Sequence, residues 1–104
     1  GAMGLAATAI LNPARKVPNL CEPVHGSAPD IYGKNIANPI AMIWSGALML
    51  GFVSGGQGAG RKAHDASVTA IEEVIKSGPR TPDLGGTANT TQVGEAVAGL
   101  IARR

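Results

Sequence analysis

The chain has 104 residues and a formal net charge of +2 at pH 7, and its basic residues are mostly scattered. This length favours one domain, and the weak positive charge argues against a nucleic-acid partner. The longest apolar stretch, residues 40–53, is shorter than the roughly 20 residues that a membrane span needs, so no membrane partner is expected. The one cysteine, Cys21, excludes an internal disulfide and is typical of a cytoplasmic protein.

Residues 1–3 have the form of a cleavage scar followed by a start methionine, so we expect residues 4–104 to carry the fold. Two short strands are predicted, over Gly4–Leu11 and Asn19–Val24, because chain breakers bracket both runs closely. Pro23 cannot donate a hydrogen bond to a sheet, which restricts the second strand to an edge or an end. The basic, proline-bounded residues 12–18 are predicted to form a surface turn.

The residues from His25 to Ala37 are predicted to form a loop that is punctuated by glycine and proline. Asn38 and Pro39 then favour a helix start, with asparagine as the N-cap and proline at the first helical position. The predicted helix runs to about Phe52. It is apolar on nearly every side, which is typical of a helix buried on all its faces.

The glycine-rich residues 54–60 have no GxGxxG spacing and follow a helix, so a flexible connector is favoured over a phosphate-binding loop. Two further helices are predicted, from Arg61 to Ser77 and from a cap at Thr90 or Thr91 to about Ala102. Each has one apolar stripe that should face a core. The stripes are Ala63, Ala66, Ala70, Ile71, Val74 and Ile75 on the first, and Val93, Ala96, Val97, Leu100 and Ile101 on the second.

Asp30 is the candidate ligand-binding carboxylate of the loop. A lone carboxylate that faces a ligand can accept hydrogen bonds from both hydroxyls of a ribose, and it repels a phosphate attached to that ribose. At about 4 Å and an effective dielectric near 20 this repulsion is on the order of 4 kcal/mol, enough to separate NAD from NADP. On spacing alone, the simpler interpretation of Asp30 as a turn former after Pro29 is favoured.

His25 and the small residues after it could seat a planar base, although a histidine hydrogen-bonded at a strand end explains the same residue. Asn38 is explained as a cap, and its side chain could also face a base. Cys21 and His25 are too few for a metal site, and His64 is predicted to be solvated. No nucleophile, base and orienting group can be assembled, so the residues favour a binding loop over a self-sufficient catalyst.

The stretch EPVHGSAPDIYGKNIANPIAMIW, residues 22–44, resembles the adenosine-binding segment of the β-decarboxylating dehydrogenases, which include isocitrate and isopropylmalate dehydrogenases. YGKN at residues 32–35, the Ile43-Trp44 pair and GPRTPDLGG at residues 78–86 are most similar to the tartrate and D-malate dehydrogenase branch. The resemblance implies an α/β fold, a C-terminal segment of the NAD-binding large domain with one or two short strands, three helices and mostly helical content. Ala7 and Cys21 depart from the proline and the aromatic residue usual in this family.

The same resemblance implies that the loop binds NAD rather than NADP. Asp30 would hold the adenosine ribose and Ile31 would pack near it, whereas NADP-using relatives carry lysine and tyrosine at these two places. Asn38 would hydrogen-bond the adenine, and Glu22 would lie towards the nicotinamide side. The adenosine pocket would be lined by His25, Gly26, Ser27 and Ala28.

The implied parent reaction is oxidative decarboxylation of a 2-hydroxy acid by NAD with Mg²⁺ or Mn²⁺. The catalytic and metal-binding motifs of the family are missing from this sequence, so we expect a C-terminal piece that supplies the adenosine end of the cofactor site and is inactive alone. An alternative is a truncated product that forms homo-oligomers through exposed apolar helix faces. A third interpretation is a remnant of the enzyme with no role of its own.

Overall fold

A computed structural model of the protein describes residues 7–10, 20–23, 27 and 29–103. Two short 3-10 turns, Pro29–Ile31 and Pro82–Leu84, lie between the main elements. The main elements are two strands and three helices: β1 (Ala7–Ile10), β2 (Leu20–Pro23), α1 (Ile40–Val53), α2 (Gly58–Ser77) and α3 (Thr90–Ala102). The predicted α/β composition is confirmed. The surface turn predicted at residues 12–18 lies outside the described residues.

Strands β1 and β2 pair antiparallel, with Thr8 opposite Glu22 and Ala9 opposite Cys21. Both strands lie within the segments predicted for them, and Pro23 is the last residue of β2, as its missing N–H requires. A two-stranded sheet is marginally stable by itself. Helix α1 packs against both strands, and this contact stabilises the sheet. The chain then continues from β2 into the loop that precedes α1.

Helix α1 begins at Ile40, one residue later than predicted. Pro39 already has helical backbone angles, with φ −84° and ψ −3°. The Ile40 N–H donates to Asn38 Oδ1 at 2.9 Å, so Asn38 satisfies one of the N–H groups that a helix start leaves unpaired. The predicted capping role of Asn38 is therefore found, at a boundary shifted by one position.

One face of α1 is apolar and exposed to solvent in this chain, although its sequence pattern is typical of a helix buried on all its faces. Its buried residues are Ile40, Ala41, Ser45 and Ala47. Met42 and Val53 are 60% and 65% exposed, and Met49 and Leu50 also lie at the surface. The described parts of this chain cover only the side of α1 that faces the sheet and α2.

The glycine-rich connector is shorter than predicted, because α2 starts at Gly58 instead of Arg61. The chain leaves α1 through backbone hydrogen bonds from Ser54 N to Leu50 O at 3.1 Å and from Gly56 N to Gly51 O at 2.9 Å. Gly55 and Gly56 both have positive φ angles, which glycine adopts without the steric cost of a β-carbon. Glycine here builds a tight turn.

The core lies where α2 and α3 meet the start of α1. Its fully buried members come from the two predicted stripes together with Ile40, and the charged residues of α2 lie on the opposite, exposed face. Burial of such apolar side chains is the main stabilising contribution in a small domain. The core residues are Ile40, Ala70, Ile71, Val74, Val93 and Val97.

Candidate functional site

The predicted site residues that the structure describes differ in exposure. Glu22 on β2, Ser27 in a turn and Asp30 are exposed, Ile31 is half-buried, and Asn38 is buried. His25, Gly26 and Ala28 lie outside the described residues, so their predicted contribution to an adenosine pocket stays a prediction.

Asp30 is presented to solvent by a short 3-10 turn. The turn is closed by hydrogen bonds from Tyr32 N to Pro29 O at 3.3 Å and from Lys34 N to Ile31 O at 3.2 Å. Gly33, with φ +77°, reverses the chain after it. Pro29 suits the first position of the turn because it has no N–H to satisfy there. Asp30 thus forms part of a turn, as its simpler interpretation predicts, while its carboxylate stays accessible to a hydroxyl-bearing ligand.

The second half of the loop is fixed to the start of α3 by long-range hydrogen bonds. Thr90 N donates to Asn35 O at 3.0 Å, and Thr91 N donates to Asn35 Oδ1 at 3.2 Å. The hydroxyl of Thr91 also donates to Asn35 Oδ1 at 3.1 Å, and that of Thr90 donates to Ala37 O at 2.5 Å. Asn35 adopts φ +56°, a left-handed conformation that asparagine tolerates better than most residues. These bonds fix residues 35–37 to the start of α3.

The end of the loop is fixed by a second contact, to a turn 45 residues further along the chain. Asn38 Nδ2 donates to Asp83 Oδ2 at 3.1 Å, and Asn38 is only 8% exposed. The other oxygen of Asp83 accepts a short hydrogen bond from the hydroxyl of Thr81, which is fully buried. The side-chain amide of Asn38 is therefore engaged on both its sides, by Asp83 and by Ile40 N.

The turn that carries Asp83 is closed by several backbone hydrogen bonds. Gly86 N donates to Thr81 O at 3.1 Å, Leu84 N to Thr81 O at 3.0 Å, and Ala88 N to Arg80 O at 2.9 Å. Sequence spacing gave no reason to join Asp83 to Asn38. The motif GPRTPDLGG, which the family resemblance singles out, was the signal that this segment matters.

A separate group of charged and titratable side chains lies in the first half of α2. His64 Nδ1 lies 3.0 Å from Asp65 Oδ1, and Arg61 Nε lies 3.6 Å from Asp65 Oδ2. The hydrogen bond with His64, followed by attraction to Arg61, holds the pKa of Asp65 below its usual value. The His64 side chain lies beside Gly51 and is 31% exposed, so the histidine that was predicted to be solvated is half-buried.

Within the described residues, no cluster of three or more histidine, cysteine or acidic side chains could hold a metal ion. None of the described helices is both long and apolar enough to cross a membrane.

The sequence matches the family model for isocitrate/isopropylmalate dehydrogenase over residues 1–97. It is 60% identical to tartrate dehydrogenase/decarboxylase of Pseudomonas putida and 57% identical to decarboxylating D-malate dehydrogenase of Escherichia coli K12. Each match covers 99% of this chain and 28% of the relative, so the chain spans little more than a quarter of these relatives. The predicted resemblance to the family and its tartrate/D-malate branch is confirmed.

Two solved structures share this architecture. Isocitrate dehydrogenase from Methylococcus capsulatus matches with a TM-score of 0.72 and 40% identity, over 95% of this chain and 28% of that one. A β-decarboxylating dehydrogenase from Thermococcus kodakarensis matches with a TM-score of 0.68 and 42% identity, over 82% of this chain and 24% of that one. The strands, helices and loop described above therefore correspond to one part of this dehydrogenase fold.

Proposed function

This chain belongs to the isocitrate/isopropylmalate dehydrogenase family, and we propose that its residues 22–38 bind the adenosine end of NAD. The proposal rests chiefly on Asp30, whose exposed carboxylate stands in a loop that is held in shape from both α3 and the Asp83 turn. Such a carboxylate can accept hydrogen bonds from two neighbouring hydroxyls, which the unphosphorylated adenosine ribose of NAD provides. A phosphate on that ribose would be repelled, so NAD is favoured over NADP.

The other proposed roles follow the family resemblance, residue by residue. Ile31 would pack near the ribose, and Glu22 would lie towards the nicotinamide side. Asn38 would meet the adenine through its backbone, because its side-chain amide is already engaged by Asp83 and Ile40 N. The pocket wall would be formed by His25, Gly26, Ser27 and Ala28.

In the whole enzyme we propose a tartrate- or D-malate-type oxidative decarboxylation, in line with the names of the relatives at 60% and 57% identity. Bound NAD would supply the hydride acceptor for the hydroxyl-bearing carbon of the acid. This chain's residues would bind and orient the adenosine end of that cofactor. The described residues include no cluster of acidic, histidine or cysteine side chains that would fit Mg²⁺ or Mn²⁺.

The proposal is tested by titrating the ¹⁵N-labelled chain with NAD and with NADP while recording amide chemical shifts. We expect weak NAD binding, with Kd on the order of 1 mM, because half of the cofactor has nothing to contact here. Shifts should concentrate in residues 22–38 and be smaller with NADP. An absence of shifts in this segment at saturating NAD would overturn the proposal.

No turnover is expected with NAD, Mn²⁺ and either D-malate or tartrate, and measurable turnover would contradict the limited role.

A second candidate function, homo-oligomerisation, is favoured by the exposed apolar face of α1, formed by Met42, Met49, Leu50 and Val53. Contiguous exposed apolar surface of this kind marks interaction sites. We predict that Met49→Lys shifts the chain towards monomer in size exclusion with light scattering. The matched control is Ala98→Lys, which adds the same charge at an exposed position of α3. A wild-type chain that is monomeric at high concentration would contradict this second function.

A further inference from the structure

We propose that Asp83 is a positioning residue for the adenosine pocket, acting from a distant turn by fixing the side chain of Asn38. The inference rests on the proposed function, because it concerns the same loop. Asp83 itself would touch no cofactor. Its carboxylate joins two buried donors, the amide of Asn38 and the hydroxyl of Thr81, at the point where the loop becomes α1.

The buried amide of Asn38 has one orientation that satisfies its neighbours. Its oxygen accepts from Ile40 N at 2.9 Å, and its nitrogen donates to Asp83 Oδ2 at 3.1 Å. A flipped amide would place an NH₂ group against the Ile40 N–H and an oxygen against a carboxylate. Both contacts would then be mismatched, and unpaired buried polar groups are destabilising. Asp83 thereby selects the orientation in which Asn38 caps α1.

The position of Asn38 controls the end of the loop. Residues 35–37 are bound to α3 by Thr90 and Thr91, and Asn38 follows them and joins the loop to α1. If Asp83 were lost, the backbone at Asn38 and the first turn of α1 would be free to shift. The backbone groups proposed to meet the adenine would then be displaced, while Asp30, held by its own 3-10 turn, would stay in place.

The contact can be tested by exchanging its two partners. In Asn38→Asp two carboxylates would face each other, whereas Asn38→Asp combined with Asp83→Asn restores an amide–carboxylate pair with reversed direction. The new Asp oxygen can still accept from Ile40 N, and the new Asn oxygen can still accept from Thr81. The double variant also keeps the wild-type net charge.

We expect Asn38→Asp to weaken NAD binding by about tenfold or more at pH 7, and the double variant to recover to within about threefold of wild type. The thermal midpoint of Asn38→Asp should rise as pH is lowered, because repulsion between the two carboxylates raises the pKa of one of them in the folded state. The double variant should not show this recovery. Gln57→Glu, which adds one negative charge at an exposed position just before α2, is the control for the gain of charge in Asn38→Asp and should bind NAD like wild type.

Three results would count against the inference, and they are distinguishable. If the double variant is no better than Asn38→Asp in both NAD binding and thermal midpoint, Asp83 does not position Asn38. If the thermal midpoint is rescued but NAD affinity is not, the pair is structural and does not shape the pocket. If wild type itself fails to bind NAD, the proposed function and the pocket role are both overturned. In that case the pH dependence of unfolding still decides whether Asn38 and Asp83 pair.

Discussion

Gly86→Ala is expected to lower the free energy of unfolding by about 1–3 kcal/mol or more, because the added methyl group would overpack a backbone that is fixed by hydrogen bonds. A β-carbon at this position would lie 2.0 Å from the carbonyl oxygen of Arg80 and 2.5 Å from its carbonyl carbon. Neither side can retreat easily, because Gly86 N is bonded to Thr81 O and Arg80 O accepts from Ala88 N. The measurement is urea unfolding, where the midpoint should fall.

The same substitution should also weaken NAD binding, because the turn that would be distorted carries Asp83. The matched control is Gly99→Ala in α3, where a β-carbon meets open space. Alanine is favoured over glycine within a helix by roughly 0.5–1 kcal/mol, so this control should raise the midpoint. Equal midpoints for the two variants would show that the close approach at Gly86 does not constrain the turn.

Asp30→Lys is expected to reverse the preference between NAD and NADP. The wild-type carboxylate should favour NAD, and a lysine at the same place should attract the additional phosphate of NADP. The charge term of about 4 kcal/mol at 4 Å is an upper bound, because Asp30 is exposed and screened by salt. We therefore expect the ratio of the two Kd values to change by about tenfold or more, equivalent to about 1.4 kcal/mol.

Two variants separate the local effect of Asp30 from a general effect of charge. Asp30→Asn removes the charge and keeps one acceptor, so it should lose the preference for NAD without gaining affinity for NADP. Asp65→Lys makes the same charge change on α2 and should leave the ratio unchanged. If Asp30→Lys and Asp65→Lys change the ratio equally, Asp30 does not contact the ribose.

Helices α2 and α3 could be predicted from the sequence because their apolar residues recur at helical spacing and face one core. The two strands could be predicted because chain-breaking residues lie at both ends of each short apolar run. The faces of α1 could not be assigned in the same way, since apolar residues surround this helix and no periodic contrast distinguishes a buried side. Only the positions of the sheet and α2 decide that Ile40 and Ala47 are buried while Met42 and Val53 are exposed.

The cap of α3 shows how tertiary contacts decide a local choice. A cap at Thr90 or Thr91 was predicted, and that prediction was wrong. Asn89 is the cap: its side chain accepts from Gln92 N at 2.8 Å, and the Gln92 side chain accepts from Asn89 N at 2.9 Å. The two threonine hydroxyls are directed instead to Ala37 and Asn35, which sequence spacing cannot show.

The loop itself was identified by family resemblance, and the comparisons confirm that family. The contacts that hold the loop could not be predicted, because they join residues separated by 45 to 56 positions. Asn38 illustrates the difference. Its role at the helix start follows from its position before Pro39, whereas its bond to Asp83 depends on how α2 returns the chain to that point.

The most direct test of adenosine binding by residues 22–38 is an isotope-filtered NOE experiment on the labelled chain with unlabelled NAD. We predict NOEs from the adenine and adenosine ribose protons to the methyl groups of Ile31 and to amides next to Asp30, and none from the nicotinamide ring to these groups. NOEs that connect NAD only to residues outside this segment, or that place the nicotinamide ring against Ile31, would contradict the proposed site.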